Sequence, residues 1–265
     1  WGDDFDEALA EATRLGYAEA DPTADVEGFD AAQKASILAS LAFHTTVPLD
    51  AVHREGITSV TREQVHAARK AGYVVKLLAI CERLTDAATG VEGVSARVHP
   101  ALVPLDHPLA AVHGANNAVF VEAEAAGSLM FYGAGAGGIQ TASAVLGDLV
   151  SAARRHVAGG PGVAESTHAN MPVLPISSVT TRYQITLSVI DEPGVLATIA
   201  TLFSDHGVSV EAVSQSVRDG ADAPTATLVI VTHEAAESAL ASTVTALAAS
   251  PVVSSVVSVL RVEGL

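Results

Sequence analysis

The apolar positions change their period several times along the chain, and each change marks an element. Phe5, Ala8, Leu9, Ala12 and Leu15 recur at helical spacing, which predicts a helix from Asp3 to Leu15. An acidic turn with Pro22 and Gly28 breaks that pattern. Strong helix formers resume it from Phe29 to about Phe43, with Phe29, Ile37, Leu41 and the alanines as the expected buried stripe. Thr61, followed by Glu63 in the first turn, caps a helix expected to reach about Ala71. Tyr73 to Leu84 is an apolar run interrupted by Lys76. Val91 to Val103 alternates, with Val94, Ala96 and Val98 on one side and Ser95, Arg97 and His99 on the other. Pro108 to Gly114 reads as helical. Ala118 to Glu124 and Ser128 to Tyr132 read as strands joined by an Ala-Ala-Gly turn, and Gln140 to His156 as a helix. Mixed strands with helices on one side predict an α+β domain built on an open sheet.

The rhythm changes after residues 158–179, where Gly159, Gly160, Pro161, Gly162, Pro172 and Pro175 mark a linker. This divides the chain into 1–157, the linker 158–179 and 180–265. In the last part Tyr183, Ile185, Leu187 and Val189 share a strand face. Asp191 to Gly194 forms a turn, and a helix from Val195 to His206 points Leu196, Ile199, Ala200 and Phe203 inward. Strands over 208–217 and 226–232, a helix over 234–249 and a strand over 252–262 complete a β-α-β-β-α-β order, the ferredoxin-like arrangement.

Composition narrows the function. The 265 residues carry a net charge of −16, so no basic face is available for nucleic acid. The single Cys81 excludes an internal disulfide and fits a reducing cytoplasm. No apolar run is long enough for a membrane span, and the acidic start does not look like a signal peptide. The ten histidines are scattered without metal-site spacing, and no GxSxG elbow occurs, so no metal is assigned.

The densest chemistry lies between Gly16 and Ala39. Glu19, Asp21, Asp25, Glu27 and Asp30 precede Lys34, and Asp30 and Lys34 are one helical turn apart on one face. Carboxylates around one ammonium suit a zwitterionic ligand and a proton relay. The same residues also read as a solvated helix cap with a surface ion pair. Gly16-Tyr17-Ala18-Glu19-Ala20-Asp21-Pro22, continued by Asp25, Gly28, Asp30 and Lys34, closely resembles the substrate motif of homoserine dehydrogenases. That resemblance implies reversible hydride transfer between NAD(P)H and aspartate 4-semialdehyde, giving L-homoserine. It makes Lys34 the proton-exchanging residue, Asp30 its partner, and Tyr17, Glu19, Asp25 and Asp30 substrate-binding. His53-Arg54-Glu55-Gly56-Ile57 also resembles the family but receives no chemistry.

The run Gly133 to Gly138 lies between a strand and a helix. It suits close approach of a ligand, and equally a plain connection. By the resemblance, Gly135, Gly137 and Thr141 sit beside the nicotinamide cofactor. Residues 181–265 resemble the ACT domain, an amino-acid sensor. Asp191, Gly194 and Val195 are then effector-binding and threonine is the expected effector, with a purely oligomeric ACT domain as the alternative. The resemblance also implies a homodimer or homotetramer. It places a nucleotide-binding half upstream of Trp1, with most of the NADP or NAD site and a monovalent-cation site. On this reading the chain is a fragment inactive alone; the rival is a non-catalytic, threonine-sensing and dimerisation module.

Overall fold

A computed structural model describes residues 4–16, 21–160, 166–218 and 225–264. Helix α1 (Phe5–Arg14) starts at Asp4 with a capping box to Glu7. The short α2 (Thr23–Val26) leads to α3 (Phe29–Phe43). Strand β1 (His53–Arg54) precedes α4 (Arg62–Lys70), where Thr61 and Gln64 cap each other reciprocally. Then β2 (Tyr73–Thr85) and β3 (Glu92–Pro104) pair antiparallel over their whole length. A second hairpin, β4 (Asn116–Ala123) and β5 (Gly127–Ala134), pairs only with itself and runs into α5 (Gly138–Ala158).

The last part is β6 (Thr180–Ile190), α6 (Val195–Asp205), β7 (Val210–Arg218), β8 (Thr225–Thr232), a two-residue β9 (Ala235–Ala236), α7 (Glu237–Ala248) and β10 (Val253–Val262). Its strands run β10-β6-β8-β7, the ferredoxin-like order. Tyr183, Ile185, Leu187 and Val189 pack against Val195, Ile199, Phe203, Leu240 and Leu247. Burying chains of this size at about 1.5–3 kcal/mol each makes this the main core of the molecule.

The two parts share one sheet. The outer edge of β10 pairs parallel with β3, placing Arg261 beside Ala101 and Val262 beside Leu102. Strand β1 occupies the same edge of β3 four residues earlier, with His53 beside Arg97 and Arg54 beside Val98. One face carries Val94, Ala96 and Val98 against Ala32, Ala35 and Ala39 of α3, and Leu102, Leu260 and Val262 against Ala68 of α4. Alternation sends Arg97, His99, Ala101, Arg261 and Tyr183 to the opposite face, the one α6 and α7 cover.

Several expectations need correction. The stripe of α3 is alanine alone: Ile37 and Leu41 are about 60% exposed and Phe29 42% exposed. Small side chains let the helix axis approach β3 closely, and that face, not the one with the largest apolar residues, turns inward. Leu196 and Ala200 lie outward, because the buried row of α6 is Val195, Ile199 and Phe203, at i, i+4 and i+8. Pro108–Ala111 forms only a short 3₁₀ turn, capped by His107, and Val112 is already extended. Helix α7 starts three residues later than expected, since Ala235 and Ala236 pair with Thr181 and Thr180. The polar side of β3 is as buried as the apolar side: Ser95, Arg97 and His99 are all buried, and Glu263 from the last part of the chain meets Arg97 and His99.

Part of the stretch expected as a linker is fixed to β3. The Ala169 N–H bonds the His44 carbonyl at 3.0 Å, and Thr45 Oγ1 bonds the Met171 carbonyl at 2.9 Å. Val94 exchanges backbone bonds with Pro172 and Leu174 at 2.9 and 2.8 Å. Gly93 permits this approach, since a Cβ there would lie 2.5 Å from the Pro172 carbonyl and 2.7 Å from Leu174 Cγ. Among the described residues no helix is long and apolar enough to cross a membrane. Gly93→Ala is expected to cost about 1–3 kcal/mol by displacing this segment. The check is the denaturant midpoint at unchanged slope; a midpoint equal to wild type would show the segment is not seated there.

Candidate active site

The acidic turn is built from local hydrogen bonds. Asp21 Oδ1 accepts from the Thr23 N–H at 3.1 Å and its hydroxyl at 2.6 Å, which starts α2. Gly28 then turns the chain into α3 at φ +76°; a Cβ there would also press on Val98 at 3.3 Å and the Glu55 carbonyl at 3.4 Å. Lys34 Nζ donates to Asp30 Oδ2 at 2.6 Å, with the side chains 61% and 47% exposed. An exposed i, i+4 pair of this kind contributes a few tenths of a kcal/mol, too little to explain the fold. What the pair does is hold an ammonium at a defined, solvent-open position. Asp25 is exposed on the preceding turn, and Tyr17 and Glu19 lie outside the described residues. The structure therefore joins Asp30 to Lys34 and, among the described residues, leaves the pair open to solvent. Neither the cavity of about 880 Å³ beside Phe29 and Arg54 nor that of about 470 Å³ beside Arg97 and Glu263 reaches either residue.

The segment His53–Thr58, given no chemistry from sequence, holds this turn in place. The Arg54 guanidinium donates to the Glu27 carbonyl and lies 3.5 Å above the centre of the Phe29 ring. The Ile57 N–H bonds the Val26 carbonyl at 2.8 Å, and the Thr58 hydroxyl bonds Glu27 Oε1 at 3.2 Å. Gly56 passes so close that a Cβ would sit 2.6 Å from the Val26 carbonyl and 2.8 Å from Glu27 Cα. A glycine inside a charged pentapeptide, with an unmatched Phe29 upstream, was the available signal; the pairing itself spans some thirty residues and has no sequence period.

On the other face of β1 lies an ionic cluster. Glu55 accepts from His53 Nε2 at 2.8 Å and from Arg261 at 2.9 and 3.0 Å. Arg261 also donates to Glu237 Oε1 of α7 at 2.5 Å, and Tyr183 Oη donates to that same oxygen at 2.6 Å. Burial works to raise the Glu55 carboxyl, but the His53 hydrogen bond and the Arg261 charge bring it down to about 2. Burial, reinforced by Arg261, pushes His99 down to about 3. Burial raises the Glu263 carboxyl, whose Oε1 stands 3.7 Å from His99 Nε2.

The proposed cofactor residues lie on the exposed arm. The Gly135 N–H bonds the Ala115 carbonyl at 2.9 Å, and a Cβ at Gly135 would displace the Asn117 side-chain amide. Gly137 adopts φ +137° at the start of α5, and the Thr141 N–H is bonded to its carbonyl at 2.9 Å. Asp191 accepts from Gln215 Nε2 at 3.2 Å, Gly194 adopts φ +95° as the cap of α6, and Val195 is buried. Among the described residues no group of three or more His, Cys, Asp or Glu side chains is placed to hold a metal ion.

Residues 1–150 match the homoserine dehydrogenase family, and residues 183–251 match the ACT domain. The chain belongs to the homoserine dehydrogenase family. It is 56% identical to the homoserine dehydrogenase of Corynebacterium glutamicum over 99% of its own length and 58% of that protein. It is 58% identical to that of Mycobacterium leprae over 100% of its length and 60% of that protein. The crystal structure of a homoserine dehydrogenase from Thiobacillus denitrificans superposes with a TM-score of 0.89 at 38% identity, covering 99% of this chain and 59% of that one. The chain thus spans about three fifths of the homoserine dehydrogenases it matches.

The cluster makes stability depend on pH with a definite sign. His99 and Glu55 have lowered values in the fold, so the unfolded chain takes up protons first and both groups destabilise the fold on acidification. For His99 the window runs from its ordinary 6.5 down to about 3, and for Glu55 from 4.5 down to about 2. The raised Glu263 acts oppositely just above 4.5, so the wild type alone does not isolate His99. The difference between wild type and His99→Gln does. It is expected to shrink by up to about 1.4 kcal/mol per pH unit below pH 6.5. A difference independent of pH in equilibrium unfolding would show that His99 is not held neutral.

Proposed function

We propose that this chain supplies the substrate-holding and amino-acid-sensing parts of an NAD(P)-dependent homoserine dehydrogenase, which interconverts L-aspartate 4-semialdehyde and L-homoserine. The observation that carries it is the Asp30–Lys34 contact at 2.6 Å, open to solvent, within the stretch that carries the substrate motif. In this reading Lys34 Nζ exchanges a proton with the substrate oxygen that alternates between hydroxyl and carbonyl. Asp30 orients the ammonium, and Asp25, Glu19 and Tyr17 meet the substrate's α-ammonium and the remaining polar groups.

The residues at the start of α5 fit a nicotinamide cofactor in one respect. A helix of this length leaves the N–H groups of Gly138, Ile139 and Gln140 without intrahelical acceptors, and the preceding glycine turn is exposed. Gly137 and the Thr141 side chain would border the cofactor, with Gly135 shaping the turn. When bound, the nicotinamide supplies or accepts the hydride. The exposed apolar residues of α5, including Ile139, Val145 and Leu149, and those of β5 form a surface of the kind a nucleotide-binding domain covers. The reading extends to a cytoplasmic homodimer or homotetramer with threonine as effector, bound around Asp191, Gly194 and Val195, where the start of α6 can take a carboxylate.

The rival reading, a non-catalytic threonine-sensing and dimerisation module, is favoured by one fact: among the described residues Asp30 and Lys34 stand open to solvent, their side chains 47% and 61% exposed. Kinetics decide. In a protein of the relatives' full length carrying this chain, Lys34→Ala is expected to lower kcat by about 10²-fold or more while leaving the cofactor's apparent affinity nearly unchanged. Turnover equal to wild type would remove Lys34 from the mechanism. For the sensor, L-threonine at about 100 times its Kd is expected to stabilise the fold by about 2.7 kcal/mol. That gain should be weakened in Asp191→Ala; neither heat nor thermal shift with wild type would refute the effector assignment.

A further inference from the structure

The segment His53–Thr58 makes contacts on both faces of the shared sheet. Alternation along β1 sends Arg54 to one face of the sheet and His53 and Glu55 to the other. On the first face, Arg54, Gly56 and Ile57 grip Val26, Glu27 and Phe29, immediately before Asp30. On the second, Glu55 is bonded by Arg261 of β10, and the other terminal nitrogen of Arg261 is bonded by Glu237 of α7. Glu237 is 4% exposed and Arg261 9% exposed, so their contact lies in the interior at the junction of the two parts, while Glu55 meets Arg261 from a half-exposed position.

We propose that Arg261 is a coupling residue: it ties the ACT helix α7 to Glu55, and through the two-sided strand β1 it sets the position of the turn that presents Asp30 and Lys34. This rests on the homoserine dehydrogenase reading for its consequence in catalysis. The physical link stands on contacts alone. Helix α7 shares one core with α6, whose start carries Asp191, Gly194 and Val195: Leu240 and Leu247 pack with Ile199 and Phe203. A ligand that moves the start of α6 against that core displaces α7, and with it the carboxylate of Glu237.

The cluster has room for a second arrangement. Tyr183 and Arg261 crowd onto Glu237 Oε1 and leave Oε2 buried without a partner, and Arg261 Nε is likewise unpaired. Arg261 divides its two terminal nitrogens between Glu55 and Glu237 instead of engaging either as a closed fork. Rotating Glu237 to present both oxygens strengthens its hold on Arg261 and slackens the hold on Glu55. Two arrangements of one buried guanidinium, each favouring a different neighbour, are what a transmitted signal requires.

Hydrogen–deuterium exchange on this chain tests the link without any turnover. Glu55→Gln, at a half-exposed position, and Arg261→Gln are each expected to speed exchange of the amides at 22–30 about fivefold or more, while the core strand at 180–190 keeps its protection. The double variant is expected to exchange no faster than the faster single variant, as for two members of one bridge. If Arg261→Gln unfolds, Glu55→Gln alone gives the answer. Unchanged exchange at 22–30 in a folded variant overturns the proposal. In the full-length enzyme, Arg261→Gln is expected to raise the KM for homoserine about fivefold or more and leave the KM for the cofactor within twofold, with partial recovery in Arg261→Lys. Equal changes in both KM values would reduce Arg261 to a structural role. An inactive wild-type enzyme would instead strike the functional reading and leave the exchange result standing.

Discussion

A guanidinium placed inside the junction of two domains sets the terms for the rest of the molecule. Arg261 stands on the strand that the last part of the chain contributes to the shared sheet, with Glu237 above it and Glu55 beside it. The register that sets β10 on β3 also sets Arg261 beside Glu55. A one-residue slip of β10 along β3 would turn Arg261 to the α4 face beside Ala68 and Leu102, carry Leu260 off that face, and leave Glu55 without its cation. Leu102, Leu260 and Val262 pack at this junction, and the Arg261–Glu55 pair adds a charge preference for the same register.

Choice of register and stability are separate matters. Desolvating buried ions costs several kcal/mol each, and an apolar replacement of a whole buried cluster is often neutral or better. The bulk of the folding free energy therefore belongs to the core of Ile185, Leu187, Phe203, Leu228 and Leu240, and to the alanine seam between α3 and β3. What the cluster adds is a penalty against partial occupancy: removing one member leaves the others charged and buried, at a cost of about 3–5 kcal/mol. His99 shows the same logic from the neutral side. Caged under two guanidinium groups, it is kept uncharged where an exposed histidine would titrate.

How much of this was legible in the chain depended on the range of the interaction. Helix α3, the Thr61 cap and the four long strands of the ACT domain follow from local period and propensity, and the sequence shows them with only small errors at the ends; the two-residue β9 was hidden inside an expected helix. The i, i+4 contact of Asp30 and Lys34 is a local fact and was legible too. Faces were harder. Ile37 and Leu41 look like core but point outward, because close packing of a helix on a strand selects alanines over bulk, and no single-chain period expresses that choice. The burial of Arg97 and His99, the fusion of the two sheets and the grip of Arg54 on Phe29 join residues far apart in the chain. For these the sequence offers only their raw material: a strand with charges on one side, a closing strand whose own partner is unspecified, and a glycine whose close neighbour lies thirty residues away.

The openness of the Asp30–Lys34 pair follows from how the turn is built. The pair contributes too little energy to hold itself. It stays in place because Gly28 and Gly56 let two backbones approach within van der Waals contact and because Arg54 pins the turn from below. A support of that kind fixes the ammonium from one side, and among the described residues its other side is open to solvent. An ammonium oriented in advance by its own scaffold loses little freedom when a partner meets it, and under the proposed function that is what Lys34 would offer a substrate oxygen.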